Sequence, residues 1–264
     1  MRPAHHRGAF QRRRWRLSLA GSLDSAFCRL RQLRTAAQPL IKIRNLDSII
    51  GRCQAVLFDL DGVLSDSPAV HAWAWAEVFR PYGIELPPER LHREEGRKSE
   101  DIAQGIILEY GLSIPDLVLN EMLVNKRRMF RAAFKPGIRA DAKRLLIHLR
   151  IKNYRTAMVS GSARENVMHA LGEGEAEMFD VLITAEDYSA GKPNPEPYLT
   201  ACRKLNIEPR NGLAVENAPL GIASALAAGL TVAAITSTLP AKELAEAHFI
   251  IKSLNELPAI LFRT

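Results

Sequence analysis

From Cys53 onward, short runs rich in β-branched and apolar residues alternate with stretches whose apolar positions recur at helical spacing. That alternation restricts the chain to parallel strands joined by crossover helices, because consecutive strands separated by helices cannot pair as hairpins. Strands are predicted over 55–60, 155–160, 181–184, 213–216 and 231–235, with helices over 164–171, 195–205 and 218–228 and Gly229 ending the last of these. The fold class is therefore α/β, a doubly wound parallel sheet. More than ninety residues separate the first two strands, far more than one crossover helix occupies. They read as helices over 67–82, 89–95, 99–110 and 115–134, after which Pro136 and Gly137 turn the chain back and 138–150 leads into the second strand. Within 115–134, Leu119, Met122, Leu123, Phe130, Ala133 and Phe134 share one helix face and are expected to be buried. The insertion therefore reads as a helical domain of its own, 67–135, interrupting a sheet domain made of 51–66 and 136–264.

Charge sets the remaining segment apart. Residues 1–44 carry eleven Lys or Arg against one acid, Asp24, whereas the rest of the chain has 25 basic and 28 acidic groups, so the net +7 belongs to a basic extension over 1–50. No nucleic-acid partner is expected for the sheet domain. Arg12, Arg13, Arg14 and Arg16, followed by mixed Leu, Ser, Ala and Arg, have the composition of an organelle transit peptide. A translated upstream stretch without function, or a nucleic-acid-binding arm, has the same composition. Cys28, Cys53 and Cys202 are too scattered for a disulfide framework or thiolate metal site, which points to a reducing compartment. The expected location is cytoplasmic, or a mitochondrion or plastid if the extension is a transit peptide. Residues 218–235 lack charge, but Pro219, Gly221, Ser224, Gly229 and Thr231 interrupt them, so they read as helix, glycine stop and strand. No membrane span is expected.

In an open α/β sheet, ligands bind beyond the carboxyl ends of the strands. The residues there are Asp59, Asp61 and Gly62 where the first strand ends, Ser160, Gly161 and Ser162 where the second ends, Gly191, Lys192 and Pro193 following the third, and Glu216 and Asn217 where the fourth ends. Two carboxylates two residues apart on leaving a strand can both face the crevice. Taken singly they also fit a solvated turn, and Lys192 fits an exposed turn lysine; convergence from four strand ends favours function.

DLDGVLSDS, VSGS, GKPNPEPY and VENAPLGI resemble, in order, the four motifs of the haloacid dehalogenase superfamily of phosphotransferases. The helical insertion resembles the mobile cap of the branch containing β-phosphoglucomutase and small sugar phosphatases, and the resemblance spans about 53–258. It implies a Rossmann-like core in which Asp59 is the nucleophile, Asp61 the general acid and base, and Ser160 and Lys192 the groups that steady the phosphoryl. It further implies Mg²⁺ on Asp59, the Asp61 carbonyl and Glu216 or Asn217. Many relatives carry aspartate where this chain has Asn217, so weaker metal affinity is expected, and tighter affinity on restoring aspartate. Gly161 and the loop Gly96, Arg97 and Lys98 are the implied substrate-binding groups, with His71 and Lys126 as further candidates.

Simpler roles remain open for several of these residues. His71 shares a helix face with Trp75 and Val78 and fits a packed histidine as well as a cap-hinge histidine of the mutase branch. Ser99 fits a helix cap, as does Ser162, and Lys126 and Arg127 fit a solvated helix face. Gly172 and Gly174 are read as a helix stop, since glutamates at 173, 175 and 177 would repel a phosphate. The expected activity is a Mg²⁺-dependent phosphatase acting on a small phosphorylated metabolite, a sugar phosphate above all, as a monomer. A sugar-phosphate mutase and an inactive phosphate-binding protein are the alternatives. In the mutase pattern an arginine lies three residues beyond the loop glycine, a place held here by Ser99.

Overall fold

Ala55–Phe58 (β1) is a run of four apolar residues buried on both faces, which is what a strand at the centre of a parallel sheet requires. The computed structural model describes residues 51–262, so what the sequence suggests for the basic extension lies outside the described residues. The chain continues through Pro68–Phe79 (α1), Pro88–Arg93 (α2), Ser99–Glu109 (α3), Asp116–Ala133 (α4) and Ala140–Ile151 (α5) to Arg155–Val159 (β2). Beyond it come Arg164–Leu171 (α6), Val181–Ile183 (β3), Glu196–Leu205 (α7), Gly212–Glu216 (β4), Pro219–Ala227 (α8), Thr231–Ile235 (β5), Phe249–Ile251 (β6) and Leu257–Leu261 (α9).

The sheet order is β3-β2-β1-β4-β5-β6, all parallel, with β1 flanked by β2 on one side and β4 on the other. The strand order reverses at β1, which opens a crevice beyond its carboxyl end. Side chains alternate across the sheet. Val56 and Phe58 pack with Leu145, Leu149 and Val167 beneath α5, α6 and α9, while Ala55 and Leu57 pack with Tyr198, Cys202 and Ile222 beneath α7 and α8. β6 is absent from the sequence expectation. The uncharged stretch over 218–235 is α8 followed by β5, and no helix among the described residues is long and apolar enough to cross a membrane.

Helices α1 to α4 have their own apolar interior, built from Trp75, Val78, Phe79, Leu91, Ile106, Met122 and Leu123 among others. The face expected to be buried on α4 is largely so, but Ala133 is exposed and Lys126 takes its place in the buried row with Met122, Leu123 and Phe130. Phe130 and Phe134 do not join the helical interior. They reach into the sheet-side core beside Leu64 and Ile138, so α4 links both hydrophobic clusters.

Candidate active site

β1 ends at Phe58, and the next residues are Asp59 and Asp61, delivered by the strand to the crevice. Asp59 is 2% exposed and Lys192, from the loop after β3, is 1% exposed; burial at this depth is tolerable for charges only if they are paired. Lys192 Nζ donates to Asp59 Oδ1 at 2.6 Å, to Glu216 Oε1 at 2.6 Å and to the Val159 carbonyl at 3.1 Å. Tyr198 donates its hydroxyl to the same Glu216 oxygen at 2.6 Å, and its ring centroid lies 5.1 Å from Nζ. Three strand ends are thus tied together by one ammonium. Burial works against that charge, but Asp59 and Glu216 outweigh it and hold Lys192 well above the usual lysine range. Asp59 is pushed up by burial, against the attraction of Lys192 and with the help of the neighbouring charges of Glu216 and Asp61.

Asp61 has a different environment. Its Oδ1 accepts from the Ser67 hydroxyl at 2.5 Å and from His71 Nε2 at 3.1 Å, and its Oδ2 accepts from the Ser162 hydroxyl at 3.4 Å. Ser67 stands at the N-cap of α1 but does not cap it, its hydroxyl being committed to Asp61. Burial alone would raise the Asp61 carboxyl; His71, Ser67 and Lys126 outweigh it and bring it down to about 2. His71 in turn is lowered by burial and by the adjacent ammonium of Lys126, whose Nζ lies 2.8 Å from Nδ1. An ammonium can only donate, so Nδ1 accepts and Nε2 carries the proton given to Asp61. Lys126 is lowered to about 8 by burial, and its ammonium lies 5.0 Å from the centre of the Trp75 ring. The ring of His71 stacks on Phe130 at 4.0 Å, which fixes its plane.

The cleft over this pair is lined by Trp75, His92, Glu95, Arg97, Ser99 and Ile102 from the helical layer, facing Asp61, Gly161 and Ser162. Gly161 has to be glycine for close approach. A Cβ there would stand 2.4 Å from the Gly96 carbonyl oxygen, so backbone meets backbone where the loop docks on the sheet domain. Of the loop cations read as substrate-binding, Arg97 lines the cleft with its guanidinium on Glu94 at 2.7 Å. Lys98 is turned away, donating to the Tyr188 carbonyl at 2.7 Å. Ser160 is buried and its hydroxyl oxygen accepts from the Ser162 backbone N–H at 3.0 Å. The capping role read for Ser162 does not hold: Ala163 occupies the N-cap of α6, and Ser162 reaches Asp61 instead. Arg127, in contrast to Lys126, pairs with Glu100 at 3.6 Å toward the surface.

Sequence reasoning missed Tyr198, Trp75, His92 and Glu95. For Lys126, a lysine within an apolar helix row was a usable signal.

No group of three or more His, Cys, Asp or Glu side chains suited to a metal ion occurs among the described residues. The donors at the end of β1 are mixed in kind. Asn217 is fully buried, and its Oδ1 has no hydrogen-bond partner among the described residues, an orphan of the sort a cation would satisfy. With the Asp59 carboxylate and the Asp61 carbonyl, it makes an all-oxygen set that fits Mg²⁺. Glu216 is committed to Lys192 and Tyr198 and, at 3.3 Å, to the Asn217 backbone N–H.

Residues 53–229 match the haloacid dehalogenase-like hydrolase family. Among curated relatives, validoxylamine A 7'-phosphate phosphatase of Streptomyces hygroscopicus subsp. limoneus is 34% identical over 77% of this chain and 95% of its own. Hexitol phosphatase A of Escherichia coli strain K12 is 31% identical over 78% of this chain and 94% of its own. Among solved structures, CbbY from Rhodobacter sphaeroides in complex with phosphate has a TM-score of 0.68 and 25% identity, covering 80% of this chain and all (100%) of that one. This chain belongs to the haloacid dehalogenase-like hydrolases and is an enzyme of their phosphatase type.

Proposed function

We propose that this haloacid dehalogenase-like hydrolase is a Mg²⁺-dependent phosphatase of a small phosphorylated carbohydrate or polyol, acting through a phosphoryl group carried on Asp59. The observation that supports it is the opposed setting of two carboxylates at one strand end. Asp59 is tied to an ammonium and buried, while Asp61 faces the cleft and is wired to the helical layer through His71 and Lys126. The substrate class rests on the relatives, whose names specify a validoxylamine phosphate and hexitol phosphates. It rests also on a cleft that combines an aromatic face, Trp75, with His92 and Ser99, groups suited to hydroxyls.

In the first step an Asp59 oxygen attacks phosphorus and the bond to the leaving oxygen breaks, with Asp61 giving that oxygen a proton. At rest Asp61 is ionised; the negative charge of the arriving phosphate raises it toward the protonated form this step needs. In the second step Asp61, now a carboxylate, takes a proton from water, which attacks the phosphoaspartate, releases inorganic phosphate and restores Asp59. Lys192 balances the nucleophile and the transferring oxygens throughout. Asp59, the Asp61 carbonyl and Asn217 Oδ1 would hold Mg²⁺, which when bound neutralises charge that would otherwise repel the phosphate. Residues 67–135 act as a cap that excludes bulk water while the intermediate exists.

Asp59→Asn is expected to lower turnover of hexitol and sugar phosphates at least about a hundredfold, roughly 2.7 kcal/mol or more of transition-state stabilisation. Wild-type protein mixed with substrate and quenched in acid should gain the mass of one phosphoryl group on the peptide containing Asp59. A variant that kept turnover within tenfold of wild type, with no labelled peptide, would overturn the covalent mechanism.

A further inference from the structure

Asn217 is held from two sides. Its Nδ2 donates to Glu95 Oε2 at 2.5 Å and to the Thr238 hydroxyl at 3.0 Å, and the second Glu95 oxygen is fixed by His92 Nδ1 at 2.6 Å. Glu95 comes from the loop after α2 in the helical layer, whereas Asn217 and Thr238 belong to the sheet domain. The amide has little room to move. A Cβ on Gly62, the residue after Asp61 and at φ +81, would lie 2.2 Å from Nδ2. Flipping the amide would turn Oδ1 onto the Glu95 carboxylate, oxygen against oxygen, so the carboxylate dictates which end of the amide faces it. The other end, Oδ1, is the buried atom left without a partner.

We propose that Glu95 is a positioning residue carried by the helical layer: by taking one amide hydrogen of Asn217, it holds Oδ1 toward the cation site when that layer is docked on the sheet domain. The idea rests on the Mg²⁺ phosphatase reading above and deepens it. It makes Glu95 and Asn217 a matched pair, since an aspartate at 217 would place a carboxylate against the Glu95 carboxylate. The sequence-based expectation that aspartate tightens the site therefore reverses. Cation affinity and docking of the helical layer are linked, and by reciprocity each favours the other.

The test is calorimetric titration of the full-length, metal-stripped protein with MgCl₂, in parallel with kcat and KM at saturating Mg²⁺. Glu95→Leu is expected to bind Mg²⁺ about tenfold more weakly, and Glu95→Gln, which keeps an acceptor oxygen but not the charge, to stay within about twofold of wild type. Asn217→Asp is expected to bind no more tightly than wild type, and Glu95→Gln/Asn217→Asp to bind more tightly than Asn217→Asp. At saturating Mg²⁺, Glu95→Leu should regain most of its kcat. Equal weakening in Glu95→Leu and Glu95→Gln would show that only the charge matters and would overturn the proposal, as would unchanged binding in both. If the leucine variant does not fold, Glu95→Ala is read by the same criteria. A wild-type protein that binds no Mg²⁺ would overturn the metal reading and this proposal with it, whereas wild-type binding undiminished in Glu95→Leu overturns the proposal alone.

Discussion

Asp59 and Asp61 lie two residues apart and are driven in opposite directions, one up by burial and neighbouring carboxylates, the other down to about 2 by the charge and hydrogen bond of His71, by Ser67 and by Lys126. Such divergence is how one strand end supplies two different functions. It also affects stability. A folded-state value of about 2 against an unfolded value near 3.9 gives Asp61 about 2 to 3 kcal/mol of stabilisation. The unfolded chain binds more protons in that window, so the contribution is complete above about pH 4 and lost as pH falls toward 2. Urea titrations of wild type and Asp61→Asn should therefore converge with acidification across that window. Parallel curves would mean that Asp61 is not held as described. Lys126 titrates in the opposite sense. Its value of about 8 lies below that of an unfolded lysine, so passing pH 8 removes a charge that burial disfavours and stability rises. A loss of kcat/KM above about pH 8 is expected without unfolding, and Lys126→Arg, if active, should carry that limb to higher pH because a guanidinium does not titrate there.

At the scale of elements, α4 carries the coupling. Its buried row places Met122 and Leu123 in the helical interior and Phe130 in the sheet-side core, with Lys126 between them one turn from each. Phe130 is fully buried, stacks on His71 and lies 5.2 Å from Phe134, so one ring fills the junction and fixes the histidine that touches Asp61. Phe130→Ala is expected to destabilise by about 3–5 kcal/mol through the cavity it leaves. Phe130→Leu should cost less in stability yet still lower kcat, because an aliphatic side chain cannot hold the imidazole plane. Denaturant midpoints and kcat on the same preparations separate the two effects, and a leucine variant with full kcat would show that the stacking does not serve catalysis.

For the whole molecule the open alternative is return of the phosphoryl group to the sugar. A mutase must hold a second phosphate remote from Asp59, for which a fork-shaped cation is best suited. Ser99 stands where the mutase pattern has arginine, Arg97 is paired with Glu94, and Lys98 is spent on the Tyr188 carbonyl. Hydrolysis is therefore expected to dominate. Incubation with β-glucose 1-phosphate and catalytic 1,6-bisphosphate should release inorganic phosphate faster than glucose 6-phosphate forms. Rapid 6-phosphate formation with little phosphate release would show that Arg97 leaves Glu94 during the reaction.

The sequence by itself determined the α/β alternation, the helical insertion, and the placement of Asp59, Asp61, Glu216 and Asn217 at strand ends and of Lys192 in the loop that follows a strand, because each is a local matter of periodicity and of position along the chain. Local rules failed where a side chain had a distant competitor. Ser67 and Ser162 satisfy local capping patterns, yet both hydroxyls go to Asp61, which lies 101 positions from Ser162. A carboxylate is the stronger acceptor, and only the folded chain brings it near. Asn217 was legible as a departure from its family's pattern but not as one half of a pair, since Glu95 is 122 positions away and no spacing connects them. Nor does any spacing place Tyr198 on Glu216 or Lys126 on His71. Those contacts were decided by tertiary structure, where docking the helical layer on the sheet removes water from the crevice and leaves each buried polar group to find a partner within the protein.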